Sequence, residues 1–522
     1  MEATTRPETD PAATNGAPPA GSDRIEVHKP VDGSLLATVP VDGPERVREV
    51  VDRVRRAQPE WEAIGFAGRR RWLASLRDWL IENSDHVADV MQAETGKVRA
   101  DAELEAPFIC DVINFYGENA ERFLADEAPS AHLPLLKVKR LQVVFSPFQV
   151  VGNISPWNFP VILSFDDSIA ALMAGCAVVI KPSEFTPLAA MEIVRAWKED
   201  VGGPDVLVIV NGVGETGGAL VDACDYIQFT GSEKTGKVVM KRAADTLTPV
   251  SLELGGKDPM IVLRDANLDR AVNGAAYGGL ANTGQICMAI ERVYVEEPIY
   301  DEFVSKLADR VRELRQGDDG RTATAEIGAM TTPAQLEIVS DHVEDAREKG
   351  ARILTGGRRG DGPGDWYEAT VIADVDHSMK VMTDETFGPV IPVMKVADAE
   401  EALRLSNDTT YGLSGSVFTR DFKRGEAIAR RMEAGAINVD DVLTNYLTLE
   451  VPMGGWKSSG IGYRHSAYGI RKFCRTESIV SPRFPQGKAD PLWFPHSRRK
   501  RNLINRLTRL FNARGWRNRL GI

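Results

Sequence analysis

Short runs rich in Val and Ile alternate with helix-length segments through most of this chain, and that alternation constrains its fold more than any other feature. Val150–Ile154, Ala177–Ile180, Val206–Val210, Tyr226–Phe229, Val250–Leu254 and Met260–Leu263 make a first block. Arg292–Val295, Ala369–Ile372, Ile391–Val396, Ser414–Phe418 and Ala436–Val439 make a second. Parallel strands need a crossover, usually a helix, so each block predicts βαβ units around a sheet covered on both faces. The fold class is α/β, with two such domains in tandem and no internal repeat.

The flanks differ. Residues 1–22, dominated by Pro, Ala, Thr and Gly, lack apolar periodicity and predict a flexible arm. From Pro44 to Ala125 the spacing is helical, as in Val47, Val50, Val51 and Val54 or Trp72, Leu73, Leu76 and Leu80. Residues 133–152 turn Leu- and Val-rich around Lys137, Lys139 and Arg140, which predicts a β-hairpin. A net charge of −12 opposes general binding to a phosphate backbone, so nucleic acid is not an expected partner. Yet residues 496–522 hold nine basic residues and no acidic one, leaving −21 on the rest. Five irregularly spaced cysteines favour free thiols in a reducing compartment. No apolar run reaches the roughly 18 residues of a membrane span, so a cytoplasmic protein is expected.

Several loops carry residues suited to chemistry. Gly212-Val-Gly214-Glu-Thr-Gly217 follows a strand and matches the dinucleotide GxGxxG pattern, although a plain strand-to-helix turn would look the same. In Phe229-Thr-Gly231-Ser232-Glu-Lys-Thr-Gly236 a strand runs into a Gly/Ser turn and a helix, which can present N–H groups to an anion. Lys181-Pro-Ser183-Glu184 lies at another strand's carboxyl edge; a carboxylate at Glu184 can take ribose hydroxyls and would repel a 2′-phosphate. Glu253 ends an apolar strand, a costly place unless it is paired or functional, and burial would suit it to be a general base. Asn158, in Ser155-Pro-Trp157-Asn158-Phe-Pro160, can donate to an oxyanion or cap a turn. Cys287, between Ile286 and Met288, is either an inert core thiol or a nucleophile. The histidines show no metal spacing, so no metal site is expected.

Taken together, SPWNFP, KPSE, FTGSEKTG, LELGGK, GQIC, ETFGPV and PMGGWKSSGIG, in this order over residues 25–485, resemble the aldehyde dehydrogenase superfamily. The resemblance implies a Rossmann-type cofactor domain (23–132 and 153–254), an α/β catalytic domain (255–469) and a small β oligomerisation element (133–152 and 470–490). A basic amphipathic tail (491–522) follows. The resemblance makes Cys287 the nucleophile, Asn158 and the Cys287 N–H the oxyanion donors, and Glu253 the base that activates water to hydrolyse a thioester. A bound NAD, or NADP, would meet Trp157 and Ser232 at the pyrophosphate, Lys181 and Glu184 at the adenosine ribose, and Glu385 and Phe387 at the nicotinamide. Ser155, Ser183, Gly214, Gly231 and Leu254 complete that set. Gly212–Gly217 becomes an adenine-side loop, not a pyrophosphate turn. A homodimer or homotetramer is implied.

Within the superfamily, PMGGWKSSGIGYRH and GQICMAIERVYV look most like a succinate-semialdehyde dehydrogenase branch. Against that, Asp166 and Asp167 would lie near the substrate funnel and discourage a carboxylate unless an arginine offsets them, and Tyr446, Leu447 and Leu449 add apolar surface. An aliphatic or aromatic aldehyde is expected, with succinic semialdehyde the alternative. Remoter readings are an acyltransferase and a non-catalytic structural member. In the tail, Leu503, Ile504, Leu507, Leu510 and Phe511 share a helical face behind Arg498-Arg-Lys-Arg501. Such a helix can lie on an anionic membrane or dock on the acidic body.

Overall fold

The computed structural model describes residues 22–485 and 493–520. The arm expected at 1–22 lies, except for Ser22, outside the described residues. Two compact units form: residues up to Leu124 with Pro147–Arg475, and Ala125–Ser146 with the residues from Thr476 onward.

The larger unit holds two sheets. One runs in spatial order Gly460–Ile461, Val250–Glu253, Tyr226–Thr230, Val150–Ile154, Ala177–Lys181, Leu207–Ile209, and only its first pair is antiparallel. The chain enters at Val150–Ile154, moves outward over two strands, then returns on the other side at Tyr226–Thr230. The loops leaving Ile154 and Thr230 therefore flank the point where strand order reverses, the crevice in which open α/β sheets take ligands. The second sheet runs Arg352–Thr355, Thr370–Ala373, Val390–Val396, Ile290–Glu296, Asp258–Val262, Ser414–Phe418, Ala436–Val439, again antiparallel only at its first pair.

Two expectations need correction. Asp258–Val262 lies inside the second sheet, not the first, because the chain crosses between them within Leu254-Gly255-Gly256-Lys257. Gly460–Ile461, a strand not expected at all, adds antiparallel to the edge of the first sheet; two residues carry no periodicity to betray it. There is no hairpin at 133–152: Lys139–Pro147 pairs with Cys474–Pro482 in a separate two-stranded sheet, while Val150–Ile154 belongs to the large one. The pair Arg24–His28 and Leu35–Pro40 and the strand Arg352–Thr355 were not expected.

The helical stretch forms as its periodicity predicts, in helices Pro44–Ala63, Gly65–Glu82, Ser84–Thr95 and Glu105–Phe123 with one turn at Arg99–Ala102. Pro44 opens the first where a missing N–H costs nothing, and Gly96, at φ 75°, ends the third in the left-handed conformation. Trp61 ties this layer to the site. Its indole donates to the Leu172 carbonyl at 2.9 Å and stands edge-on to Trp197, 6.1 Å between centroids. Leu172 belongs to the buried helix Ile162–Ala174 that follows the Asn158 turn. Trp61→Ala should lower the unfolding free energy by about 3–5 kcal/mol, through lost burial and a cavity, as read by denaturant titration.

Candidate active site

The first sheet offers its carboxyl ends and the second its amino ends to one place. Asn158 follows strand Val150–Ile154, Glu253 ends its strand, and Gly255–Gly256 lead straight into Asp258–Val262. Cys287 precedes strand Ile290–Glu296, and Glu385 and Phe387 precede Val390–Val396.

A buried ion pair fixes the Asn158 turn. Lys97 Nζ lies 2.6 Å from Glu105 Oε1 and donates to the Asn158 carbonyl at 2.9 Å, over the Phe159 ring. The other Glu105 oxygen accepts from the Val161 and Ile162 N–H groups, both at 3.0 Å, at the start of helix Ile162–Ala174. The Asn158 amide then reaches a loop that leads into the second sheet: Nδ2 donates to the Gln285 carbonyl at 2.9 Å, two residues before Cys287. Gln285 is itself held, its Oε1 accepting from Thr331 N at 2.9 Å and its carbonyl also accepting from Asn282 Nδ2. Asn282, Thr283 and Gly284 all have positive φ, so the loop is a tight left-handed coil. A Cβ on Gly284 would run into the Gly388 carbonyl, which makes glycine necessary there.

Cys287 is a half-buried free thiol. Burial pushes it up to about 12, opposed by the Arg464 charge and reinforced by Glu253. Its carbonyl lies against Gly256, where a Cβ would stand 2.5 Å away. Glu253 is 3% exposed, and neither carboxylate oxygen has a hydrogen-bond partner among the described residues. Burial lifts it to about 7, against the pull of Arg464 and Lys472. Glu253 is thus poised to change protonation near neutral pH, whereas the thiol needs added positive charge to ionise there.

Glu385 accepts from Gly256 N at 3.0 Å, and burial followed by the Glu291 charge raises it to about 8. Glu291 builds the next loop: it pairs with Lys257 at 2.6 Å and accepts from Thr386 N and Phe387 N at 2.7 and 2.8 Å. Phe387, held at φ 49°, meets the Trp157 ring edge-on at 5.4 Å.

Ser232 stands exposed at the start of helix Glu233–Ala243 and caps Thr235 N, beside the strand-order reversal. Gly231 N donates to the Glu253 carbonyl, and Leu254 packs under Gly236. Lys181 is buried: Nζ donates to the Pro182 carbonyl and lies 3.7 Å from Glu184, whose side chain is 23% exposed. Ser183 Oγ caps Phe185 N, and Ser155 Oγ bonds Ser164 Oγ, so that hydroxyl serves the fold. Open space lies above Gly214, while Gly217 faces the Lys181 stem. An exposed helix start, an accessible carboxylate and open backbone at Gly214 suit a dinucleotide. Among the described residues no cluster of three His, Cys, Asp or Glu could hold a metal.

The expected negative funnel is corrected. Asp166 lies 3.0 Å from His465, and Asp167 lies 3.0 Å from Arg464 and 2.6 Å from Lys472. Burial opposes the Asp166 charge, yet His465 and Arg464 hold its carboxyl below the usual range. Arg464 also donates to Tyr446 Oη at 3.2 Å and Thr230 Oγ1 at 2.9 Å. The offsetting arginine exists, some 300 residues along the chain, where spacing could not reveal it. Lys97, Glu105, Gln285, Glu291 and Lys257 were also missed; each is a polar residue whose burial appears only in three dimensions.

Residues 18–479 match the model of the aldehyde dehydrogenase family. A Mycobacterium ulcerans protein named "Putative succinate-semialdehyde dehydrogenase (NADP+) 2" is 38% identical over 88% of this chain and 90% of its own. A Methylomonas protein named 4,4'-diapolycopene aldehyde oxidase is 38% identical over 91% of this chain and 88% of its own. Among solved structures, a Staphylococcus aureus betaine aldehyde dehydrogenase in complex with NAD+ superposes with a TM-score of 0.85 at 30% identity, covering 91% of this chain and 95% of that one.

Removing one partner of a buried pair leaves the other charge uncompensated. Lys97→Met should cost about 3–5 kcal/mol of stability. The double variant Lys97→Met/Glu105→Gln should lose less than the single one by thermal and denaturant unfolding.

Proposed function

This chain belongs to the aldehyde dehydrogenase family, and from that premise we propose its substrate class, its preferred cofactor and the roles of its residues. It is an oxidoreductase that acts on an aldehyde with NAD(P). In our reading, strands Val150–Ile154 to Val250–Glu253 carry the cofactor domain and Asp258–Val262 to Ala436–Val439 the catalytic domain.

Cys287 is the nucleophile. Its thiolate bonds to the carbonyl carbon, and the carbonyl electron pair moves to oxygen. The Asn158 amide spends one proton on Gln285 and keeps the other for that oxyanion, together with the Cys287 N–H. A bound NAD(P)+ would supply a positive ring that favours the thiolate and an acceptor for the hydride; as the C–H bond gives up that hydride, the electron pair on oxygen re-forms the C=O and leaves a thioester on Cys287. Glu253 then takes a proton from water, which attacks the thioester; the C–S bond breaks and the acid leaves. The observation that carries these roles is the unpartnered Glu253 carboxylate in a buried site shared with a free thiol. Trp157, Ser232, Gly231 and Gly214 border the pyrophosphate and adenine side, and Lys181, Ser183 and Glu184 the adenosine ribose. Ser155 and Leu254 shape the walls, and Glu385 and Phe387 hold the nicotinamide end. Glu184 favours NAD over NADP.

The substrate is an apolar aldehyde. Cys287 packs with Ile286, Leu443 and Tyr446 against buried Met288, Leu413 and Met453. The nearby cations Arg464 and Lys472 are already engaged with Asp167. One relative is named for the aldehyde of diapolycopene. Succinic semialdehyde is the second reading, favoured by the name of another relative and by a buried Arg464 Nε without a partner among the described residues. We also propose assembly as a homodimer or homotetramer through the Lys139–Pro147 and Cys474–Pro482 sheet, a cytoplasmic location, and peripheral membrane contact through residues 496–522.

Initial rates with NAD should favour a medium-chain alkanal over succinic semialdehyde at least tenfold in kcat/KM; the reverse order supports the second reading. Glu253→Gln should lose about 10²–10⁴-fold in steady-state rate while keeping a burst of NADH. Because the base works only as a carboxylate, wild-type turnover should fall as pH drops through about 7, a limb absent from the variant.

A further inference from the structure

Among the described residues the tail forms helix Arg498–Asn512, capped by Ser497 Oγ on Lys500 N and without a single buried residue. Its apolar positions are not scattered. At 100° per residue Leu503, Ile504, Leu507, Leu510 and Phe511 fill one arc of about 120°, Arg498, Arg501 and Arg509 occupy the opposite side, Arg499 and Arg506 flank the arc, and Lys500 lies within it. Leu503 is 51% exposed and Leu510 44%. Just before it, Trp493 and Phe494 are also exposed, and the Lys500 ammonium donates to the Trp493 carbonyl at 2.8 Å. No helix among the described residues is long and apolar enough to cross a membrane. On a bilayer, a helix this charged would lie flat, apolar side down and guanidinium groups among headgroups.

We propose that residues 493–520 dock the enzyme on an anionic lipid surface, with Leu503, Leu507, Leu510 and Phe511 in the acyl boundary and the arginines on lipid phosphates. Charge complementarity chooses this occupant. Nine cations without an acid repel a cationic partner and gain no charge pairing from a neutral one, and an acidic protein surface would satisfy the arginines but not a continuous apolar face. The inference rests on the proposed apolar substrate for its purpose: lipid concentrates such aldehydes, so docking would raise the local substrate level.

The full-length enzyme is spun with vesicles of phosphatidylglycerol and phosphatidylcholine or of phosphatidylcholine alone. The expected result is pelleting with the anionic vesicles, weakened at high salt, and at least tenfold less with neutral ones. Leu503→Glu/Phe511→Glu and a deletion of residues 493–522 should each remove the pelleting while leaving kcat/KM for a water-soluble aldehyde unchanged. That activity shows the variants are folded, since the family match ends at residue 479. Equal pelleting by the variants, or wild type remaining in the supernatant, overturns the proposal. So does a tail-dependent change of oligomeric state without vesicle binding, which would make a second copy the occupant. Vesicle binding is read without turnover, so a wrong substrate assignment leaves this outcome standing, and a failure here leaves the substrate comparison intact.

Discussion

A buried ammonium holds the site together. Lys97 Nζ neutralises Glu105 and takes the Asn158 carbonyl, and Glu105 in turn caps the helix that begins at Ile162. With the turn fixed from behind, the Asn158 amide points to Gln285 and so to the loop of Cys287. One hydrogen bond thereby couples the carboxyl edge of one sheet to the amino edge of the other. Burying such a pair is costly, and a hydrophobic substitute of equal volume could be as stable. What the pair provides is placement of a backbone carbonyl and an amide side chain that apolar packing would leave free to shift.

The same economy governs the other charges. Glu291 and Lys257 hold the loop of Glu385 and Phe387, and Arg464, Lys472 and His465 answer the two aspartates of helix Ile162–Ala174. Glu253 alone among these carboxylates is left without a hydrogen-bond partner among the described residues. Burial raises its pKa, and the field of Arg464 and Lys472 moderates that penalty without cancelling it. A structural carboxylate would be satisfied; this one is kept available at the cost of desolvation.

Much of this was legible in the chain. Most strands of both sheets are apolar runs of the right length, and the helices between residues 44 and 123 show their 3.6-residue period. Glu253 stands out as an acid at the end of an apolar strand, whereas Cys287 and Asn158, each open to a structural reading, are singled out by the family motifs around them. Omissions and misreadings occurred where period gives no information. The two-residue strand Gly460–Ile461, which went unread, is too short to alternate, and Lys139–Pro147 finds its partner more than 300 residues later rather than at Val150–Ile154. Asp166 and Asp167 looked like free charge because their partners are distant in sequence.

By itself, then, the sequence determined the α/β class, the family and the residue types able to form a thioester and release it, since periodicity and local motifs are properties of neighbouring residues. It also determined the amphipathic tail. Only the tertiary structure decided which charges are answered, that the chain changes sheets within four residues after Glu253, and that Arg464 faces inward against Asp167. Those outcomes depend on which distant segments share a low-dielectric interior, where one ion pair more or less sets the protonation of its neighbours.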